Sequence, residues 1–154
     1  METDKLENII QEIVKQARDL KNKHTQEKSA PINYACIFSQ NESEYHELLL
    51  ATDAIGKIIE KTPSGPLFQI RPILTVAGQL KLLKIRAPDT TRTEKGDADF
   101  TVLDYQSFKK KHLKKGGFKL IIREKFEMIE LKDKSFSVLA YFSNPPLNEQ
   151  LNIK

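Results

Sequence analysis

The sequence predicts an α+β protein of two tandem βαβββ modules forming a shared cleft, preceded by an N-terminal amphipathic helix. Three observations point there. Apolar residues recur at helical spacing between Leu6 and Leu20. After Pro31 the chain reads strand, helix, strand, strand, strand. The same order returns in the second half after about sixty residues, the mark of a repeated unit. The expected units are 1–30 for the helix and a polar linker, 31–95 for the first module with its crossover loop, 96–147 for the second module and 148–154 for a C-terminal tail, all in one compact domain.

Each element has its own warrant. Leu6, Ile9, Ile10, Ile13, Val14, Ala17 and Leu20 form one apolar stripe on the first helix, with Thr3 as the expected N-cap. Such a stripe packs on a core more often than on a partner. This helix is also the one element whose deletion the reading leaves open as survivable. The run "KNKHTQEKSAP" ends it at Pro31, and His24 is expected to be solvated near the helix end. "INYACIFS" is a strand and "NESEYHELLLATDAIG" a helix opened by cap-type residues. Strands "KIIEK", "LFQIRPILTV" and "LKLLKIR" follow, parted by the turn signals "TPSGP" and "AGQ". In the second half "ADFTVL" reads as a strand, "DYQSFKKKHLKKGG" as a helix starting near Asp104, and "FKLIIREK", "FEMIEL" and "SFSVLAYF" as strands. Ile37, Phe100, Ile121 and Val138 are expected in the core.

Composition narrows the function. The 154 residues carry 25 basic and 21 acidic side chains, a net charge of +4, so the field is mixed rather than single-signed and a nucleic-acid role is disfavoured. The single Cys36 forms no internal disulfide and sits in the apolar run "YACIF", which fits a reducing, cytoplasmic setting. The start "METDKLENII" has no basic region followed by an apolar one, and no apolar run nears the ~18 residues of a membrane span. A soluble protein is expected, with a homodimer open.

No short motif announces chemistry. There is no GxSxG, Walker-type loop or GxGxxG, and Cys36 has no basic sequence neighbour to activate it. His24, His46 and His112 fall on separate segments without HxH or HExxH spacing, and each is expected at the surface. The basic run "FKKKHLKKGGFK" lies where cations offset a helix C-terminus, which weighs against phosphate binding. Asp97 and Asp99 stand at i and i+2, on one face of a strand, able to do acid–base work or to pair with Arg86, Arg92 and Lys95.

Two βαβββ modules in tandem, over roughly Ile32 to Phe142, resemble the glyoxalase, or vicinal-oxygen-chelate, superfamily. The N-terminal helix followed by "NYACIFS", the "GPLFQI" strand and the charged loop look most similar to bacterial members of unassigned function. The resemblance implies a divalent metal held by His and Glu from the first and last strands of each module. At those places this chain offers Tyr34, then Lys84 to Arg86, then Asp99, then Tyr141 or Ser143. Only Asp99 is a good ligand for such an ion, so no metal and no cofactor is expected.

The stretch "LKIRAPDTTRTEKGDADFTV" then becomes the crossover between modules, passing the edge of the cleft. Arg86 and Asp99 are expected to lie near each other, and Glu130 to share a face with Phe126 and Met128. The expected polar lining is Tyr34, Arg86, Asp99, Glu130 and Tyr141, binding a small polar or anionic ligand through Arg86. Two alternatives remain: a metal-dependent lyase, isomerase or dioxygenase with divergent ligands, and a protein- or nucleic-acid-interaction module using the basic surface at 109–115.

Overall fold

The computed structural model describes residues 1–153, and Lys154, the end of the expected tail, lies outside the described residues. The first helix, α1, runs Thr3–His24 and is followed by β1 (Ile32–Phe38), α2 (Glu42–Asp53), β2 (Gly56–Thr62), β3 (Gly65–Thr75) and β4 (Gly78–Arg86). The second βαβββ unit is β5 (Gly96–Phe100), α3 (Tyr105–His112), β6 (Phe118–Ile122), β7 (Glu127–Leu131) and β8 (Val138–Asn144). A short α4, Leu147–Gln150, gives shape to part of what the sequence reads as a tail. Among the described residues no helix is long and apolar enough to cross a membrane.

All eight strands form one sheet in the order β2-β3-β4-β1-β5-β8-β7-β6. Each module closes its own half with a parallel pair, β1 with β4 and β5 with β8. The halves meet where β1 and β5 run antiparallel, with Tyr34 opposite Asp99 and Cys36 opposite Asp97. A register shift between Ile32 and Tyr34 sets that alignment. Gly65 opens β3 at a φ of 143°, and a Cβ there would run into the Ile85 carbonyl. Both the strained φ and the backbone clash forbid a side chain. Gly65→Ala is expected to lower stability by about 2–4 kcal/mol, read as a drop in the urea midpoint at unchanged m-value.

Helices α1, α2 and α3 lie on one face. Leu6, Ile10, Ile13, Val14, Ala17 and Leu20 of α1 are buried with Ala35, Ile37, Ala98, Phe100, Val138, Ala140 and Phe142 of the central strands. Phe108 of α3 sets its ring 4.4 Å from that of Phe142. The two shorter helices are capped as their sequences suggest: Asn41 accepts from the Glu44 N–H at 2.8 Å, and Asp104 from the Ser107 N–H at 3.0 Å. On α1 the N-cap is Glu2, without a side-chain cap, and Thr3 is already helical. The C-terminal end of α1 is tied down instead. Lys23 and His24 both reach Asp133 Oδ2, at 2.9 and 2.8 Å, so His24 is an anchored residue rather than a solvated one.

Two further expectations change for the same kind of reason. His112 is buried, stacked 5.2 Å from the Phe118 ring and 4.6 Å from Phe108, because position i+4 from Phe108 shares that residue's inward face. Ile121 is only half-buried and packs on the opposite face of the sheet, with Met128, beside Cys36, Phe38, Leu139 and Tyr141. Its parity sets it against Phe118, Leu120 and the helical core. Ile37, Phe100 and Val138 are buried.

Lys21 is a charge inside this core. Its Nζ donates to Asn22 Oδ1 at 2.8 Å and to the Glu27 carbonyl, and lies 5.2 Å from the centroid of the Phe100 ring. Burial pulls its pKa down to about 8, against the pull of the Glu27 charge.

Candidate functional site

Residues directly opposite in register share a face of the sheet, so the pairing fixes what stands on the side turned away from α1, α2 and α3. Tyr34 on β1, Asp99 on β5, Tyr141 on β8, Glu130 on β7 and Lys119 on β6 follow one another in a single row across five strands. One step along the strands lies a second row, Lys84, Cys36, Asp97 and Leu139. A further step brings Arg86 opposite Phe38.

Four of the five expected lining residues thus come together in one row. Arg86 shares their face but stands two rows away, about 13 Å at ~3.3 Å per residue. The expected Arg86–Asp99 pair is therefore not made. Arg86 donates to Asp89 Oδ2 at 3.2 Å and rests its guanidinium over Phe38, 5.2 Å from the ring centroid. Asp99 accepts from the Ser143 hydroxyl. The reason is register: Asp99 aligns with Tyr34, four residues before the position that faces Arg86.

The carboxylates at the centre of this face are buried and short of partners. Asp99 is fully buried and Asp97 nearly so, and among the described residues Asp97 Oδ1 and Asp99 Oδ1 have none. Burial pushes Asp97 up to about 8, with the Asp99 charge adding to it and Lys84, Arg86 and Arg92 opposing. Burial likewise pushes Asp99 up to about 7, against the hydrogen bonds from Ser143. Burial and the carboxyl charges hold the Tyr34 and Tyr141 phenols well above their ordinary value, so both keep their protons. The Tyr141 hydroxyl donates to Glu130 Oε2 at 2.8 Å. The Cys36 thiol is also pushed up by burial, which leaves it a packing residue.

Beside this row opens a cleft of about 540 Å³, walled by Thr91–Glu94 of the crossover on one side and by β6 and β7 on the other. Its charged lining is Arg92, Lys119, Arg123 and Lys132 with Glu94 and Glu130. Lys132 lies 3.6 Å from Glu94, so these two offset each other. Among the described residues Arg92, Lys119 and Arg123 have no carboxylate within ion-pair distance. The sequence reading named Arg92 only as a possible partner of Asp97 and Asp99 and passed over Lys119 and Arg123, although Lys119, Ile121 and Arg123 alternate with Phe118, Leu120 and Ile122 and so declare a separate face.

A metal does not fit. Among the described residues no three His, Cys, Asp or Glu side chains stand where they could hold one ion. Asp99 stands in register between two protonated phenols, Tyr34 and Tyr141, and the charges of Lys84, Arg86 and Arg92 act on Asp97. This is a poor field for a divalent cation.

No family model matches the chain, and no curated sequence matches it. Solved structures match the chain, among them the following two. A structural-genomics protein, Protein EC4020, is 10% identical, with a TM-score of 0.71 over 94% of this chain and 90% of that one. A glyoxalase/bleomycin resistance protein/dioxygenase superfamily member from Vibrio splendidus 12B01 is 6% identical, with a TM-score of 0.47 over 71% of this chain and 95% of that one. Element order and strand order give two βαβββ modules joined through β1 and β5 behind an N-terminal helix, the architecture that the sequence predicts.

Proposed function

We propose that the protein binds a small anionic ligand in the cleft between the crossover and the β6–β7 hairpin, without a bound metal. The observation that supports this most directly is the set Arg92, Lys119 and Arg123, three cations around one cleft with no carboxylate paired to them among the described residues. Like charges held together repel, and an anion placed among them relieves that repulsion and gains charge-assisted hydrogen bonds. The volume of about 540 Å³ suits a small metabolite. The anion contact in this reading moves from Arg86 to Arg92, Lys119 and Arg123, because Arg86 is already engaged by Asp89 and Phe38.

Binding to the folded form alone raises stability by about 2.7 kcal/mol at a hundredfold excess over Kd, which for a chain of this size lifts Tm by roughly 5–10 °C. A thermal-shift panel of carboxylic acids and phosphate esters is expected to yield such a rise, and Arg92→Ala with Arg123→Ala to abolish it. A null across the panel at millimolar concentration sinks the reading, as does elemental analysis showing one tightly held metal ion per chain.

A further inference from the structure

The cleft that the proposed function rests on is not lined by cations alone. Glu130 sits on its floor, nine-tenths buried, and among the described residues only the Tyr141 hydroxyl donates to it. Register places Lys119 directly opposite Glu130 on the same face. The two nevertheless form no ion pair among the described residues, so a cation and a carboxylate stand side by side at the cleft wall, each with bonding capacity left. Deeper on the same face, one and two strands beyond Tyr141 and Glu130, lie Asp99 and Asp97 with their unpartnered oxygens.

A ligand that carried only negative groups would satisfy Arg92, Lys119 and Arg123 and would strip water from Glu130 without replacing it. A buried acceptor left without a donor costs free energy, the more so facing a like charge. The ligand that satisfies both walls presents a donor, best a positive one, next to its anionic group. We infer that the cleft takes an amphoteric small molecule of the amino-acid class, its ammonium on Glu130 and its carboxylate among Lys119, Arg92 and Arg123. Directly opposed side chains on a sheet are separated by ~5 Å at Cβ, the spacing at which an ammonium and a carboxylate on one carbon can meet both.

The test uses the full chain and matched probes: the standard amino acids against their deaminated acids, among them L-glutamate against glutarate and L-aspartate against succinate, by thermal shift and then titration calorimetry. At least one amino acid is expected to bind ten or more times tighter than its deaminated partner. Glu130→Gln should cut that preference below threefold without weakening the acid, and Arg123→Ala, at an exposed position, should weaken both members of the pair alike. Acids that bind as well as or better than their amino counterparts overturn this inference and leave the anion site standing. Equal preference in wild type and Glu130→Gln also overturns it, as does a hydroxy acid binding as tightly as the amino acid, which would make the donor a hydroxyl. Failure of every amino acid and every acid overturns this inference, and failure of the phosphate esters as well removes the anion site itself.

Discussion

Raising the pH from 5 to 8 should cost the protein on the order of 3–6 kcal/mol of folding stability, an effect comparable to that of losing a core side chain. The cause is the carboxyl pair Asp97 and Asp99, pushed by burial to about 8 and about 7 from an ordinary value of 3.8. Between the ordinary and the raised values the folded chain holds protons that the unfolded chain has released, so stability falls as pH rises through that window. The contribution is fully present below about pH 4 and gone once both groups have ionised. His112 works the other way: burial lowers its pKa, so its contribution is lost as pH falls below its ordinary 6.5. Asp89, Asp104, Glu127 and Asp133 have depressed values, and their contribution fades only at acid pH below the window. Above pH 8 Lys21, lowered from 10.5 to about 8, adds stability because the unfolded chain then binds the extra proton, while the raised Cys36 thiol and the raised phenols of Tyr34, Tyr105 and Tyr141 oppose it as their unfolded counterparts ionise. Urea unfolding across pH 5–8 should therefore show a steady loss of stability. Asp97→Asn with Asp99→Asn should flatten the descending limb and raise stability at pH 8. A wild-type profile that is level between pH 5 and 8, or a slope that survives in the double variant, would refute the assignment.

Deleting residues 1–24 should abolish cooperative folding. Sequence periodicity left this helix open as dispensable, but the structure seats it in the middle of the core. Leu6, Val14, Ala17 and Leu20 have no exposed surface, and α1 packs along β5 and β8 as well as β1, β3 and α2. At 1.5–3 kcal/mol for each large buried apolar side chain, the stripe supplies about 10 kcal/mol, as much as the whole net stability of an ordinary domain. Thermal melts of the truncated chain followed by near-ultraviolet dichroism are expected to show no sharp transition. A cooperative melt within a few degrees of the full chain would show that the sheet stands without α1.

The sequence made the elements legible wherever local chemistry decides them. Asn41 and Asp104 mark helix starts because their side chains are short acceptors, and Gly65 and Gly78 mark turns because the chain passes through positive φ there. It also grouped Tyr34, Asp99 and Tyr141 as cleft lining through the resemblance in element order, and put Glu130 on a face with Met128 through alternation along its strand, a local property. Long-range register was not legible. The distance between Arg86 and Asp99 depends on the parallel pairing of β1 with β4 and on the shift at Ile32/Tyr34, and neither leaves a mark in the strands themselves. The lysine-rich run concealed His112 for a different reason. Its charge suggested a solvated helix, whereas the four-residue step from Phe108 carried the information about burial.

The packing of α1 has a consequence for synthesis. Its apolar stripe ends at Leu20, and the β8 strand that covers it begins at Val138, more than a hundred residues later in the chain. At ~5–20 residues per second on the ribosome, the helix stays without its docking surface for roughly 6–24 s. During that interval it is an amphipathic segment tethered to a growing chain, and neither module alone offers it the full seat built from β1, β5 and β8. Folding to the native state is therefore completed after translation of the second module, and the first twenty residues are the part of the nascent chain that most needs a chaperone's cover.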